Sequence, residues 1–198
     1  MYSSELAKQI TKKDIAYLTA GIEDNVQLVA VRFDKSPNKN RGFIEFKFEK
    51  EGKTLSHTEW EPKSEGKTPE ELQATQTNQF SRIEQILKCF YPNPNDRLCL
   101  AENFEGFAKW VVEKLEAADK SILLRIKIVY NQNGYTTLPQ YAKYTFIEPM
   151  SLVNENKSVI VKLGIDMFEK PIVADAEQST VNPFVNAAPT ANTSDLPF

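Results

Sequence analysis

A mostly β domain of the α+β class is what this sequence predicts, and three observations carry the prediction. Residues 26–34, 43–50, 53–61 and 122–130 alternate or run apolar over strand lengths, and turn residues bound them. Between the third and fourth of these lies a capped helical stretch. After about Ala174 the composition falls to Ala, Asn, Thr, Ser, Pro and Val, with little to bury, so residues 174–198 are expected to be a disordered tail.

The elements follow in chain order. Residues 1–20 are mixed and read as an arm or short helix carrying Lys8, Lys12 and Lys13. Val26 to Asp34 is β-rich and apolar on both faces, as in a strand near the middle of a sheet. Lys35 to Gly42 combines Pro, two Asn and Gly with three cations and reads as a loop. In Phe43 to Lys50, Ile44, Phe46 and Phe48 point one way, and Phe43, Glu45, Lys47 and Glu49 the other. Phe43 is thus an aromatic on a polar face, directly after a basic loop. Glu51-Gly52 turns the chain into a third strand that ends at Trp60.

Thr68-Pro69-Glu70-Glu71 has the chemistry of a helix start: Thr as N-cap, Pro in the first turn, and a Glu placed to close a capping box. Leu72, Gln76, Phe80, Ile83, Leu87 and Phe90 follow at helical spacing until Pro92 stops the run. A second helix is expected from about Asn103, with Phe107, Val111 and Leu115 inward. Both aromatic stripes read as core.

Lys120 to Ile147 contains no acidic residue; it carries Lys120, Arg125, Lys127 and Lys143 among Tyr130, Tyr135, Tyr141, Tyr144 and Phe146. Ile122, Leu124, Ile126, Ile128 and Tyr130 alternate with Leu123, Arg125, Lys127 and Val129, which predicts a strand with an apolar face and a face of two cations. Asn133-Gly134 turns the chain towards another strand at Lys143 to Ile147. Cations for phosphates and aromatic rings for bases are the requirements of a single-stranded nucleic-acid groove.

Three meandering strands, helices, then a closing pair is the chain order of an OB barrel. In that barrel the ligand crosses strands two and three between the loops here formed by residues 35–42 and 131–142. The expected fold is therefore an OB barrel over residues 21–173, between the arm and the tail. A three-strand hairpin domain packed on a separate helical pair is the alternative. The nucleic-acid residues expected from this arrangement are Lys35, Lys39, Arg41, Phe43, Lys47, Arg125, Lys127, Tyr135, Tyr141 and Lys143. Phe43, Tyr135 and Tyr141 would stack on bases, and the cations would meet phosphate.

The net charge of −3 does not oppose this, because Asp175, Glu177 and Asp195 account for it; the rest of the chain holds 24 acids and 24 bases. Cys89, Cys99 and the single His57 have no zinc-ligand spacing, and the thiols are expected to be reduced. No Gly-rich phosphate loop or nucleophile elbow is present, so a non-enzymatic role without cofactor or metal is expected. Acids near Trp60 (Glu59, Glu61, Glu65) leave a metal-dependent nuclease as a second class, although such carboxylates more often face water. A Phe-rich sheet that binds a peptide is a third. The N-terminus lacks a signal-peptide pattern and no stretch reaches membrane-spanning length, so a cytosolic location without membrane contact is expected.

The chain ends Asp195-Leu196-Pro197-Phe198, an acid, two apolar residues, a ring and the α-carboxylate. This resembles the C-terminal tip of bacterial single-stranded DNA-binding proteins, which carry several acids before an aliphatic residue, Pro and Phe. Asn133 to Pro139 with Lys143 to Pro149 is similar to a stretch in single-stranded DNA-binding proteins of tailed bacteriophages. The resemblance does not cover the helical middle, and only Asp195 stands for the usual run of acids. It implies an OB core that coats single-stranded DNA in replication or recombination, and a tip at Asp195, Leu196, Pro197 and Phe198 that recruits replication or recombination proteins.

Overall fold

The computed structural model describes residues 16–172. The arm before Ala16, the tail and its terminal motif lie outside the described residues. Among the described residues the architecture is α+β: a six-stranded antiparallel sheet with three α-helices. Strands β1 (Gly21–Lys35), β2 (Gly42–Lys50) and β3 (Lys53–Trp60) form a meander. Helices α1 (Pro69–Phe90) and α2 (Phe104–Glu116) follow, separated by a 3₁₀ turn at Pro94–Arg97. Strands β4 (Leu124–Tyr130), β5 (Thr136–Thr137) and β6 (Ile147–Pro149) and the short helix α3 (Met150–Asn154) complete it. The strand order is β3-β2-β1-β4-β5, with β6 also paired to β4.

Strand β1 holds the sheet together by pairing with two partners in succession. Gly21 to Val26 pairs with β4, and Gln27 to Lys35 pairs with β2. Register irregularities at Glu23/Val26 and Leu28/Ala30 break the alternation. Such breaks bend a strand and increase its twist. They explain why β1 reads as apolar on both faces: Leu28 and Val31 both point inward, while Val29 and Ala30 between them face out. Strand β2 keeps strict alternation, with Ile44, Phe46 and Phe48 fully buried as their spacing predicts. Glu51 and Gly52, both at positive φ, make the tight turn into β3.

Thr68 closes the predicted capping box with Glu71. Helix α1 buries Ile83, Ile86, Leu87 and Phe90, and α2 buries Ala108, Val111 and Leu115. Gly42 sits under Phe104, whose ring would lie 3.0 Å from a Cβ there, so the start of β2 approaches α2 closely. Cys89 and Cys99 are free thiols, and burial pushes Cys89 up to about 12.

Two expectations need correction. The strand that returns from the Asn133-Gly134 turn is Thr136–Thr137, and Lys143 to Phe146 is irregular; the next strand, Ile147–Pro149, pairs with the opposite end of β4. Nor is the second face of β4 a solvated row of cations. Tyr141 and Asp166 close over Lys127, which is completely buried. Its ammonium lies 2.8 Å from the Asp166 carboxylate and donates to the Tyr141 hydroxyl at 2.9 Å. Tyr141 donates in turn to Asp166 at 3.0 Å, and Asp166 also accepts from the Leu163 amide. Burial, followed by the bond to Asp166, pushes the Tyr141 phenol above its ordinary range. Among the described residues, no helix is long and apolar enough to cross a membrane.

Removing one member of a buried pair leaves the other charged and unsolvated, at a cost of about 3–5 kcal/mol. Lys127→Met is therefore expected to lower unfolding stability in urea by about that amount. Arg125→Ala, which breaks a partly exposed pair with Asp24, is expected to cost about 1 kcal/mol or less. Equal small losses from both would place Lys127 at the surface.

Candidate nucleic-acid interface

A groove of about 670 Å³ runs between the outward side of β3 and the turn before β5. Outward positions on β3 are Ser56, Thr58 and Trp60, the alternates of buried Leu55, His57 and Glu59. Trp60 stands directly opposite Phe43 on β2, with ring centroids 4.9 Å apart. The guanidinium of Arg32 lies 5.4 Å from the centroid of Phe43, and that of Arg41 lies 5.4 Å from Trp60. Four flat groups thus form a ladder, Arg32–Phe43–Trp60–Arg41, on the outer face of the sheet. Arg41 is fixed there by donating to the Glu61 carbonyl at 2.7 Å.

Tyr135 faces this ladder from the other wall, at 71% exposure. Its backbone is held firmly although its ring is free. Asn131 accepts from the amides of Asn133 and Tyr135, both at 3.0 Å, and its own amide donates to the Tyr135 carbonyl at 2.8 Å. Gly134 supplies the positive φ that closes the turn.

Beneath the groove, a buried polar network joins β3, β5 and α1. His57 Nδ1 lies 2.9 Å from Thr137 Oγ1, and its Nε2 lies 3.2 Å from Glu59 Oε1. Arg82 donates to both Glu59 oxygens at 2.7 Å and to the Gln140 carbonyl at 3.2 Å. Gln79 donates to Glu59 and to the Trp60 carbonyl. Burial alone would raise the Glu59 carboxyl, but the bonds from Arg82 and His57 outweigh it and hold the group at about 2. Glu59 therefore faces inward rather than to water, and it is fully engaged. The lining cations Arg41, Lys63, Lys67 and Arg82 exceed this one carboxylate, so the groove is electropositive.

The ten expected residues divide by their placement. Arg41 and Tyr135 line the groove, and Phe43 adjoins it through Trp60. Lys39 is exposed in the loop before β2, and Lys47 is exposed on the same outer face, opposite Ser56. Lys35 is exposed but paired with Glu105 at 2.8 Å. Lys143 is exposed, with its ammonium 5.7 Å over the Tyr144 ring. Arg125 is held by both Asp24 oxygens and by Ser158, away from the groove. Lys127 is completely buried against Asp166 and cannot meet a phosphate, whereas Tyr141 is half-buried, with its hydroxyl engaged by Lys127 and Asp166. Sequence reasoning missed Trp60, Arg32, Lys63 and Lys67. Trp60 was detectable as the aromatic that ends an otherwise polar row, Thr54, Ser56 and Thr58. The two lysines stand in a polar loop whose approach to Tyr135 is purely tertiary.

No family model matches this chain, and neither a curated protein nor a solved structure matches it.

Glu59 yields a pH test. Its folded-state value, lowered from 4.5 to about 2, contributes stability that is present above about 4.5 and is lost as pH falls towards 2. Thermal melts over that interval should show a shallower acid loss for Glu59→Gln than for the native protein. Parallel curves would mean that Glu59 is not the engaged carboxylate described.

Proposed function

We propose that the protein binds single-stranded nucleic acid with little sequence preference, and that DNA is the strand it coats during replication or recombination. The observation that carries this reading is the ladder of Phe43 and Trp60 between two guanidiniums, facing Tyr135 across an electropositive groove. A base has a flat face whatever its identity, so stacking on these rings is sequence-tolerant, while Arg41, Lys63, Lys67 and the loop cation Lys39 meet the backbone. A duplex keeps its bases stacked inside and offers the rings nothing to accept.

We read the sheet as an OB barrel. Support comes from the strand order, with β1 paired to both β2 and β4, and from the hydrogen bond of His57 on β3 to Thr137 on β5, which brings the two ends of that order together. The groove then lies where such barrels take their ligands, across strands two and three and between the loops that follow strands one and four. The motif Asp195-Leu196-Pro197-Phe198 we assign to recruitment of replication or recombination proteins, with Leu196 and Phe198 in an apolar pocket of the partner and the Asp195 carboxylate on its cations.

The test is a fluorescence titration with labelled oligothymidine against duplex of equal length, in rising salt and with Mg²⁺, with the products run on a gel. Single strands are expected to bind preferentially and to remain intact. About three to five phosphate contacts give a log–log salt slope of roughly −2 to −3.5. Trp60→Ala and Tyr135→Ala should each cost about 1–3 kcal/mol of binding with little change in melting temperature. Salt-independent or duplex-equal binding would overturn the reading, and shortened strands in Mg²⁺ would point to a nuclease.

A further inference from the structure

A second cleft, of about 930 Å³, adjoins the groove and shares Ser56, Tyr135 and Thr136 with it. Its far side is built from the two ends of the described chain, Tyr17 to Thr19 and Lys170 to Ile172. Tyr17 is 63% exposed, yet its backbone is fixed. It bridges to Thr54 in parallel fashion; the Leu18 amide donates to the Thr54 carbonyl at 3.0 Å, and the Thr54 amide donates to the Ala16 carbonyl at 2.9 Å. Leu18, at 2% exposure, anchors the segment in the core. The segment bearing Lys170 is tied down as well, through the Tyr130 amide, which donates to the Met167 carbonyl at 2.8 Å, and through the buried Lys127–Asp166 pair.

Position matters more than size here. Trp60, Thr58 and Ser56 point outward along β3, and Thr54, the next in that row, is the residue Tyr17 pairs with. At about 3.3 Å per residue the row from Trp60 to Thr54 measures about 20 Å. An exposed, backbone-fixed aromatic therefore stands at each end of the row, with Tyr135 beside its middle. One cation, Lys170, lines the far cleft.

We propose that the binding site has two parts, and that a strand stacked on Trp60 continues along β3 past Tyr135 into the second cleft, where Tyr17 stacks on a further base and Lys170 meets its phosphate. This rests on the single-strand reading above. It assigns to Tyr17 and Lys170 a role that grows with ligand length, because a short oligonucleotide fills the groove at Trp60 without reaching them.

The experiment is a titration of the 198-residue chain and its Tyr17→Ala, Tyr17→Phe and Lys170→Gln variants with oligothymidines of about 4 to 16 nucleotides, the range of a single OB site. Tyr17→Ala is expected to match the native protein on the shortest oligomers and to bind the longest about tenfold more weakly, with Tyr17→Phe restoring native affinity. Lys170→Gln should make the salt slope less negative by about 0.7, on the long oligomers only. Superimposed native and Tyr17→Ala curves at every length would overturn the second subsite while leaving the groove intact. An equal loss at all lengths would also overturn it, by showing that Tyr17 acts through the fold. If the native protein binds no oligomer of any length, the single-strand reading itself fails.

Discussion

Strand β1 must pair with β2 through one half and with β4 through the other, and the rest of the architecture depends on its ability to bend. A flat strand of 15 residues would place both partners in one open layer. The irregularities at Glu23/Val26 and Leu28/Ala30 instead let the two halves turn relative to each other. The β2–β3 ribbon and the β4–β5 ribbon then approach at their far edges, where His57 meets Thr137. The groove is the outer side of that approach. Its two aromatic walls come from ribbons far apart in sequence, which meet where His57 bonds to Thr137.

The approach is held by charges rather than by apolar packing alone. Glu59 takes bonds from Arg82, His57 and Gln79, so one buried carboxylate ties β3 to α1 and, through Arg82, to the segment after β5. Lys127, Asp166 and Tyr141 fasten the last described segment across β4. A buried ion pair adds little to stability compared with well-packed apolar side chains, but it tolerates few alternative arrangements. That suits segments with little regular structure of their own. Residues 138–146 are irregular, and Gln85 on α1 also holds them, donating to the carbonyls of Ala142 and Tyr144 and accepting from the Phe146 amide. The Tyr135 turn is thereby presented from a fixed base.

Much of this was legible in the residues. The alternation in β2, the capping box at Thr68 and the turns at Glu51-Gly52 and Asn133-Gly134 are local chemistry, and local chemistry decided them. Lys127 shows where that legibility stops. Alternation correctly separates Arg125 and Lys127 from Leu124, Ile126 and Ile128, but it says only that the second face differs from the first. Whether that face meets water depends on Asp166, 39 positions further along the chain. Glu59 and His57 are the same case on β3, polar side chains at inward positions whose partners come from α1 and β5. The ladder was half visible. Phe43 stood out as an aromatic on a polar face, whereas its partner Trp60 was identified only as the end of a strand, because cross-strand register is set by the turn and by the pairing together.

In the proposed function a single strand lies on the Phe43–Trp60 ladder, within reach of Tyr135. Ultraviolet cross-linking tests it most directly, since it links a base to the side chain it touches without altering either. The protein is irradiated in complex with oligothymidine and digested, and the linked peptides are sequenced by mass spectrometry. Links are expected at Trp60, Phe43 and Tyr135 and should disappear in high salt. Links confined to the helical side of the molecule, or none at the ladder under conditions where the oligomer is bound, would contradict it.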